Sequence, residues 1–308
     1  MIDASGGEVE ACSRWVGSGG GGRIALYVDD LTTFDPSTQA RSWGGAVGNC
    51  DGTVSSYGAA GAGTVYVMTP EMTYGELHVD NGLDADGDPR PGPDVALPSL
   101  GSGDLSLVEE FGDDAWVTGS QPFRPRWQGS YMELADSLGV RLGSFRVVET
   151  DSAGRALLSD ASNVTSATTY RGEYRFDATM ARNQTKLVIP DSFRSAHFEV
   201  QEGELRLPAR VALESMTIRE GGMAAASGPE LSLAVAGALI IEEGGLLDAS
   251  AQGYAGASSA STEGGSPDWV LGSTRDYGGS HGGLGTYRNY SSGQQGEIYG
   301  SVYLPQHS

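Results

Sequence analysis

The sequence predicts an all-β protein: a parallel β-helix-like solenoid with a small antiparallel β-subdomain inserted in it. Three observations point there. Glycine makes up 47 of 308 residues, about twice its average usage of roughly 7%, and follows no three-residue period, which excludes collagen. Residues 200–205, 218–223 and 241–246 repeat one order (aliphatic, two polar, glycine, aliphatic) at offsets of 18 and 23 residues. A repeat near 20 residues made of short strands and glycine turns is how a solenoid reads in sequence. Finally, no segment sustains a helical period.

The repeat has a physical reason. One coil buries too little apolar surface alone. Stacked at a strand spacing of about 4.8 Å, coils close each other's backbone hydrogen bonds. Val200, Ile218 and Ile241 are then expected in one interior column, with glycines at positive-φ corners.

Residues 1–80 read as N-terminal coils. Gly19 to Gly22 precede Arg23-Ile24-Ala25-Leu26-Tyr27-Val28, Gly61-Ala62-Gly63 precede Thr64-Val65-Tyr66-Val67-Met68, and Gly75 precedes Glu76-Leu77-His78-Val79-Asp80. Each run is short, alternating or aliphatic, and bounded by turn residues. Residues 81–104, rich in Asp, Pro and Gly, read as an excursion. Residues 105–180 gather Trp116, Trp127, Tyr131, Phe145, Tyr170, Tyr174 and Phe176 and alternate like a meander. Asp151-Ser152-Ala153-Gly154 supplies a hairpin turn there, and this stretch is the inserted subdomain. Residues 181–250 return to coils, and the Gly/Ser/Tyr-rich residues 251–308 read as a long loop, or a partly disordered stretch, and a final strand. Ile2-Asp3-Ala4-Ser5 matches Leu247-Asp248-Ala249-Ser250, so the chain spans about one long period of an array.

The order of these elements is itself a pattern. Arg23-Ile24-Ala25-Leu26-Tyr27, Ala62-Gly63-Thr64-Val65-Tyr66 and Tyr74-Gly75-Glu76-Leu77-His78-Val79-Asp80-Asn81 come first. Tyr170-Arg171-Gly172-Glu173-Tyr174-Arg175-Phe176-Asp177, the Asp-Ala-Ser element and Gly279-Ser280-His281-Gly282-Gly283-Leu284-Gly285 follow. This order resembles modules of very large repetitive bacterial surface or secreted proteins with adhesin-like parallel β-helix stalks. The resemblance implies a surface or secreted structural role; the repeat of residues 2–5 at 247–250 makes neighbouring modules of the same polypeptide the expected partners. The resemblance carries no catalytic residues over.

The formal net charge is −21, from 40 acidic and 19 basic residues, of which only Lys186 is a lysine. A surface this acidic repels phosphate backbones and anionic lipid heads, which argues against nucleic acid. No run reaches the roughly 18 apolar residues that span a bilayer. Residues 1–6 show neither a basic n-region nor an apolar h-region, which fits a cytoplasmic chain or an export signal elsewhere, and the repeats favour the second. Cys12 and Cys50 permit a disulfide closing a long loop in an extracellular chain and equally fit two thiols in a reduced one.

For a ligand site, alternating Asp84, Asp86 and Asp88 in a glycine-containing loop, with Asp94 beyond, suit a hard cation such as calcium. The helix-loop-helix calcium pattern fails at Pro89 and Val95, which leaves a non-helical calcium loop or a solvated acidic turn. Calcium is the one cofactor the sequence suggests. Tyr277, Tyr287 and Tyr290, set among glycines and serines, suit stacking on sugars or packing on a flank. Partners would be cell-surface or matrix glycans or proteins. Gly17 to Gly22 lack the lysine of a phosphate loop and read as coil corners. The adjacent pairs Asp29-Asp30 and Asp113-Asp114 point to opposite faces of a strand, whereas glycoside hydrolysis needs two carboxyls across a groove. Arg23, Arg171 and Arg175 could serve a lyase only if the fold gathers them. The chain therefore reads as a non-catalytic structural or adhesive solenoid segment, with a carbohydrate-binding or polysaccharide-cleaving (lyase or glycosidase) β-helix protein as the alternative.

Overall fold

A computed structural model describes residues 1–9, 17–48, 54–55, 59–84, 86–90, 92–190, 192–228 and 231–250. Of the C-terminal stretch it describes 263–267, 270–274, 277, 285–286 and 293–297. Cys12, Cys50, Tyr287 and Tyr290 lie outside the described residues. The molecule is all-β. Its N-terminal strands are β1 (Ile2–Asp3), β2 (Arg23–Tyr27), β3 (Ala40–Arg41), β4 (Val47–Gly48), β5 (Val54–Ser55), β6 (Thr64–Met68) and β7 (Glu76–Asp80), with one short helix, Pro36–Gln39, before β3. The middle holds β8 (Asp94–Ala96), β9 (Ser102–Phe111), β10 (Asp114–Gly119), β11 (Tyr131–Ala135), β12 (Arg141–Thr150), β13 (Ala156–Leu158) and β14 (Thr169–Arg182). Then come β15 (Lys186–Val188), β16 (Phe193–Gln201), β17 (Glu204–Leu207), β18 (Arg210–Leu213), β19 (Ser215–Ile218), β20 (Met223–Ala226), β21 (Ser232–Val235), β22 (Leu239–Ile241) and β23 (Leu246–Asp248). No helix among the described residues is long and apolar enough to cross a membrane.

The strands form mixed, parallel and antiparallel sheets. In the first, β7, β14, β16, β19 and β22 run parallel, with β6 antiparallel on β7 and β2 parallel on β6. In the second, β8, β15, β17, β20 and β23 are all parallel. A third pairs β18 with β21. The order β16, β17, β18 is repeated by β19, β20, β21 and begun again by β22, β23. Register follows the aliphatic pattern. Val79, Ala181, Val200, Ile218 and Ile241 are successive partners across the first sheet. Val95, Leu187, Leu205, Ala224 and Leu247 are partners across the second. Both columns face one core, in which Val79, Ala181, Val200, Ile218, Leu187, Leu205 and Ala224 are fully buried. The column ends in water: Ile241 is 46% exposed, with Leu239, Ile240 and Leu246 similarly open. On the outer face, Glu199 accepts from Arg182 and Arg219 at 2.8 and 2.9 Å, and Arg219 reaches on to Glu242 at 3.0 Å, so one chain of charges ties four neighbouring strands.

Glycine plays two parts in the fold. Gly221 and Gly244 take positive φ at +67° and +83°, as a corner requires, and in the first repeat Glu202 takes that role at +50°. The N-terminal glycines are different, which corrects the expectation of coil corners. Residues 4–7, 18–22, 42–46 and 59–63 run side by side and bond in several directions. Gly6 N–H donates to Trp43 O at 2.8 Å, Gly22 N–H to Ala4 O at 2.8 Å, Gly45 N–H to Gly19 O at 2.9 Å and Gly63 N–H to Ser42 O at 2.6 Å. A Cβ on Gly6, Gly21 or Gly63 would overlap a neighbouring carbonyl oxygen. Close backbone approach, not turning, requires glycine at these three positions.

The six strands β9 to β14 close an antiparallel ring. Its order is β11, β12, β13, β10, β9, β14 and back to β11. Met132, Leu134, Val117, Val147 and Leu158 are fully buried inside it, and Phe123, Trp127 and Tyr170 meet edge to face at 5.0 to 5.8 Å. The expected hairpin turn is present: Arg155 N–H donates to Asp151 Oδ1 at 2.8 Å, and Gly154 takes φ +81°. Antiparallel pairing runs from Ser102 to Glu173. β14 then continues beyond it, unbroken, as a parallel strand of the first sheet from Tyr174 to Arg182, so a single strand belongs to both units.

Candidate ligand-binding cleft

A cleft of about 290 Å³ opens where the ring meets the N-terminal strands. β2 and β6 are pinned by parallel pairing, Arg23 to Thr64 through Tyr27 to Met68. Alternation then turns Arg23, Ala25 and Tyr27 outward while Ile24 is buried. The ring supplies Arg126 from its turn at Pro125–Trp127 and Arg146 from β12, and β14 supplies Tyr174, Arg175 and Phe176. The lining thus holds four arginines and three tyrosines beyond Tyr74, and no carboxylate among the described residues.

The rings are fixed. Tyr27 packs edge-on to Tyr66 at 5.8 Å, and Tyr66 edge-on to Phe176 at 6.2 Å. The Tyr66 hydroxyl donates to Tyr74 O at 3.0 Å, and the Tyr174 hydroxyl to Pro98 O at 2.8 Å. Burial, with Tyr27 alongside, pushes the Tyr66 phenol up to about 12. Burial likewise raises Tyr131 and Tyr174. Arg175 lies over the rings of Tyr131 and Tyr74 at 5.0 and 5.6 Å. Burial opposes its charge, but Glu173, paired at 2.7 Å, outweighs that and leaves its pKa raised. The guanidinium groups of Arg23, Arg126 and Arg146 have no hydrogen bond or ion pair among the described residues.

Tyr74, Arg175 and Phe176 also line a wider neighbouring groove of about 680 Å³. Its carboxylates are engaged. Glu133 pairs with Arg141 at 2.7 Å, and buried Glu173 with Arg175 and, at 3.5 Å, with Arg194. Asp177 accepts N–H bonds from Thr73, Tyr74 and Gly75 at 2.8 to 2.9 Å. Glu214 stands 3.7 Å from His197.

The residues singled out from the sequence are dispersed. Asp84 Oδ1 accepts from the N–H groups of Asp86 and Asp88 at 2.9 and 3.0 Å, closing its own turn. Asp94 stands on β8 and pairs with Arg206 at 3.0 Å. Among the described residues no three acidic, histidine or cysteine side chains are grouped to hold a metal. Asp30 binds Thr32, and Asp114 accepts the N–H of Asp160. Tyr277 N–H donates to Thr274 O at 3.4 Å. Arg23 and Arg175, 152 positions apart, share the cleft, while Arg171 is exposed on the ring side of β14. Arg126, Arg146 and Tyr66 were not foreseen, and no local signal joins residues so distant in the chain. A scan of protein-family models finds no match, and searches of curated proteins and solved structures find none.

Proposed function

We propose that the chain is a non-catalytic structural and adhesive β-solenoid segment of a larger extracellular or cell-surface bacterial protein. The supporting observation is the column Val79, Ala181, Val200, Ile218, Ile241, in register across parallel strands and still apolar where it reaches water. Such a stack adds length by repetition, because each turn contacts only its neighbours. The two Asp-Ala-Ser elements support the array: Ser5 N–H donates to Asp3 Oδ1 and Ser250 N–H to Asp248 Oδ1, both at 2.8 Å. In each, the hydrogen bonds of the serine lower the aspartate pKa.

A polypeptide carrying residues 2–246 twice in succession, followed by 247–308, tests the proposal. Small-angle scattering is expected to show one rigid particle longer by a fixed increment, melting no lower than a single copy. Two compact particles on a flexible join would overturn it.

Polysaccharide cleavage is the second reading, favoured by the groove where carboxylates and arginines converge. Its carboxylates are held by arginines and backbone amides, which leaves Glu214 as the least engaged. No turnover of uronate polymers is expected. Cleavage lost in Glu214→Gln would replace the structural reading with the enzymatic one.

A further inference from the structure

We propose that the cleft between the ring and the N-terminal strands binds an acidic saccharide. Its carboxylates are taken by Arg23, Arg126 and Arg146, and a sugar face lies against Tyr27. The proposal rests on the adhesive reading and gives it a ligand class.

Charge is the first argument. The chain carries 40 acidic residues against 19 basic ones, yet the cleft gathers four arginines and no carboxylate among the described residues. Arg23 and Arg126 are exposed and Arg146 is half-buried, and like charges gathered on one wall oppose one another unless an anion joins them. Arg175 already has Glu173 at 2.7 Å. The other three guanidinium groups keep all their donors available among the described residues. Their planar fork fits a carboxylate through two parallel hydrogen bonds.

The rings give the second argument. Tyr27 is 64% exposed, although its edge is fixed on Tyr66. An amphipathic ring held open to water suits the C–H face of a pyranose, with the phenol free to bond hydroxyls. The hydrogen bonds of Tyr66 and Tyr174 to backbone carbonyls hold the wall in place before any ligand arrives, which reduces the ordering cost of binding. A volume of about 290 Å³ is at the small end of ligand sites, roughly 300–1,000 Å³, so one or two sugar units fill it and a longer chain passes through its open mouth. Nucleic acid is disfavoured by the acidity of the rest of the surface.

The full chain is titrated calorimetrically with trisaccharides of galacturonate, mannuronate and glucuronate. A neutral galactose trisaccharide, an aspartate-rich peptide and sodium sulfate serve as comparisons. At least one uronate trisaccharide is expected to bind, more weakly as salt rises. Loss of one charge-assisted contact in Arg23→Gln or Arg146→Gln is expected to lower affinity about tenfold, and Tyr27→Ala is expected to lower it as well. If Arg146→Gln fails to fold, the exposed Arg23 and Tyr27 variants carry the test. Failure here leaves the doubled-chain result standing, so the two proposals fall separately. Binding of no uronate, equal binding of the neutral sugar, the peptide or sulfate, or full affinity in folded Arg23→Gln and Tyr27→Ala variants would each overturn the assignment.

Discussion

Ile218 and Ile241 carry the same side chain in the same column and differ in depth. Ile218 is fully buried and Ile241 is 46% exposed. Truncating Ile218 to alanine is expected to cost about 3 kcal/mol, through lost transfer energy and an unfilled cavity. Ile241→Ala is expected to cost less than about 1 kcal/mol, since half its surface already meets water. Urea midpoints of the two variants check the contrast, and equal losses would contradict the column. Tyr66 makes a pH-dependent case. Its pKa in the folded chain is about 12 against an ordinary 10.0, mainly through burial. The neutral phenol is the form the fold favours, so its contribution is complete below pH 10 and is lost as pH rises through 12. Tyrosinate absorbance at pH 11 is expected to leave Tyr66 out of the ionised set, and Tyr66→Phe is expected to flatten the alkaline loss of stability.

At the scale of elements, the packed N-terminal glycines make a sharp demand. A methyl group on Gly63 would strike the carbonyl of Gly22, and overpacking a rigid site costs roughly 1–3 kcal/mol. Gly63→Ala is therefore expected to lower the thermal midpoint, whereas Gly7→Ala, which meets nothing within 4 Å, is expected to leave it unchanged. The same elements show what the sequence could tell. The 18- and 23-residue offsets could be read because strand register in a buried face copies the aliphatic pattern directly. The hairpin at Asp151–Gly154 was equally plain, since turn chemistry is local. Glycine tracts were ambiguous: a left-handed corner and a close backbone contact both require glycine, and only the neighbour decides. The ring closure of β11 on β14 was hidden for the same reason, being a non-local pairing with no signature in either strand. The cleft was illegible as a set. Arg23, Arg171 and Arg175 stood out as basic residues, but only Arg23 and Arg175 meet in the cleft, and their convergence with Arg126 and Arg146 depends on how ring and sheet meet.

For the molecule as a whole, acid exposes the outer charge chain. Glu199 is pushed up by burial, but hydrogen bonds from Arg219 and Arg182 more than reverse this and leave its pKa below the ordinary 4.5. Its contribution is present above pH 4.5 and is lost as pH falls through the lower folded value. Glu199→Gln is expected to melt lower at pH 7, with the difference from the parent chain shrinking toward pH 3. A difference independent of pH would show that the charge chain is idle.

β14 closes the antiparallel ring with its first residues and joins the parallel sheet with its last. A shared strand is a rigid splice, unlike a hinge. Tension applied between residues 1 and 250 must therefore load ring and sheet together. In a single-molecule pulling trace the two should let go in one event, and a ligand seated between them should raise the force at which that event occurs.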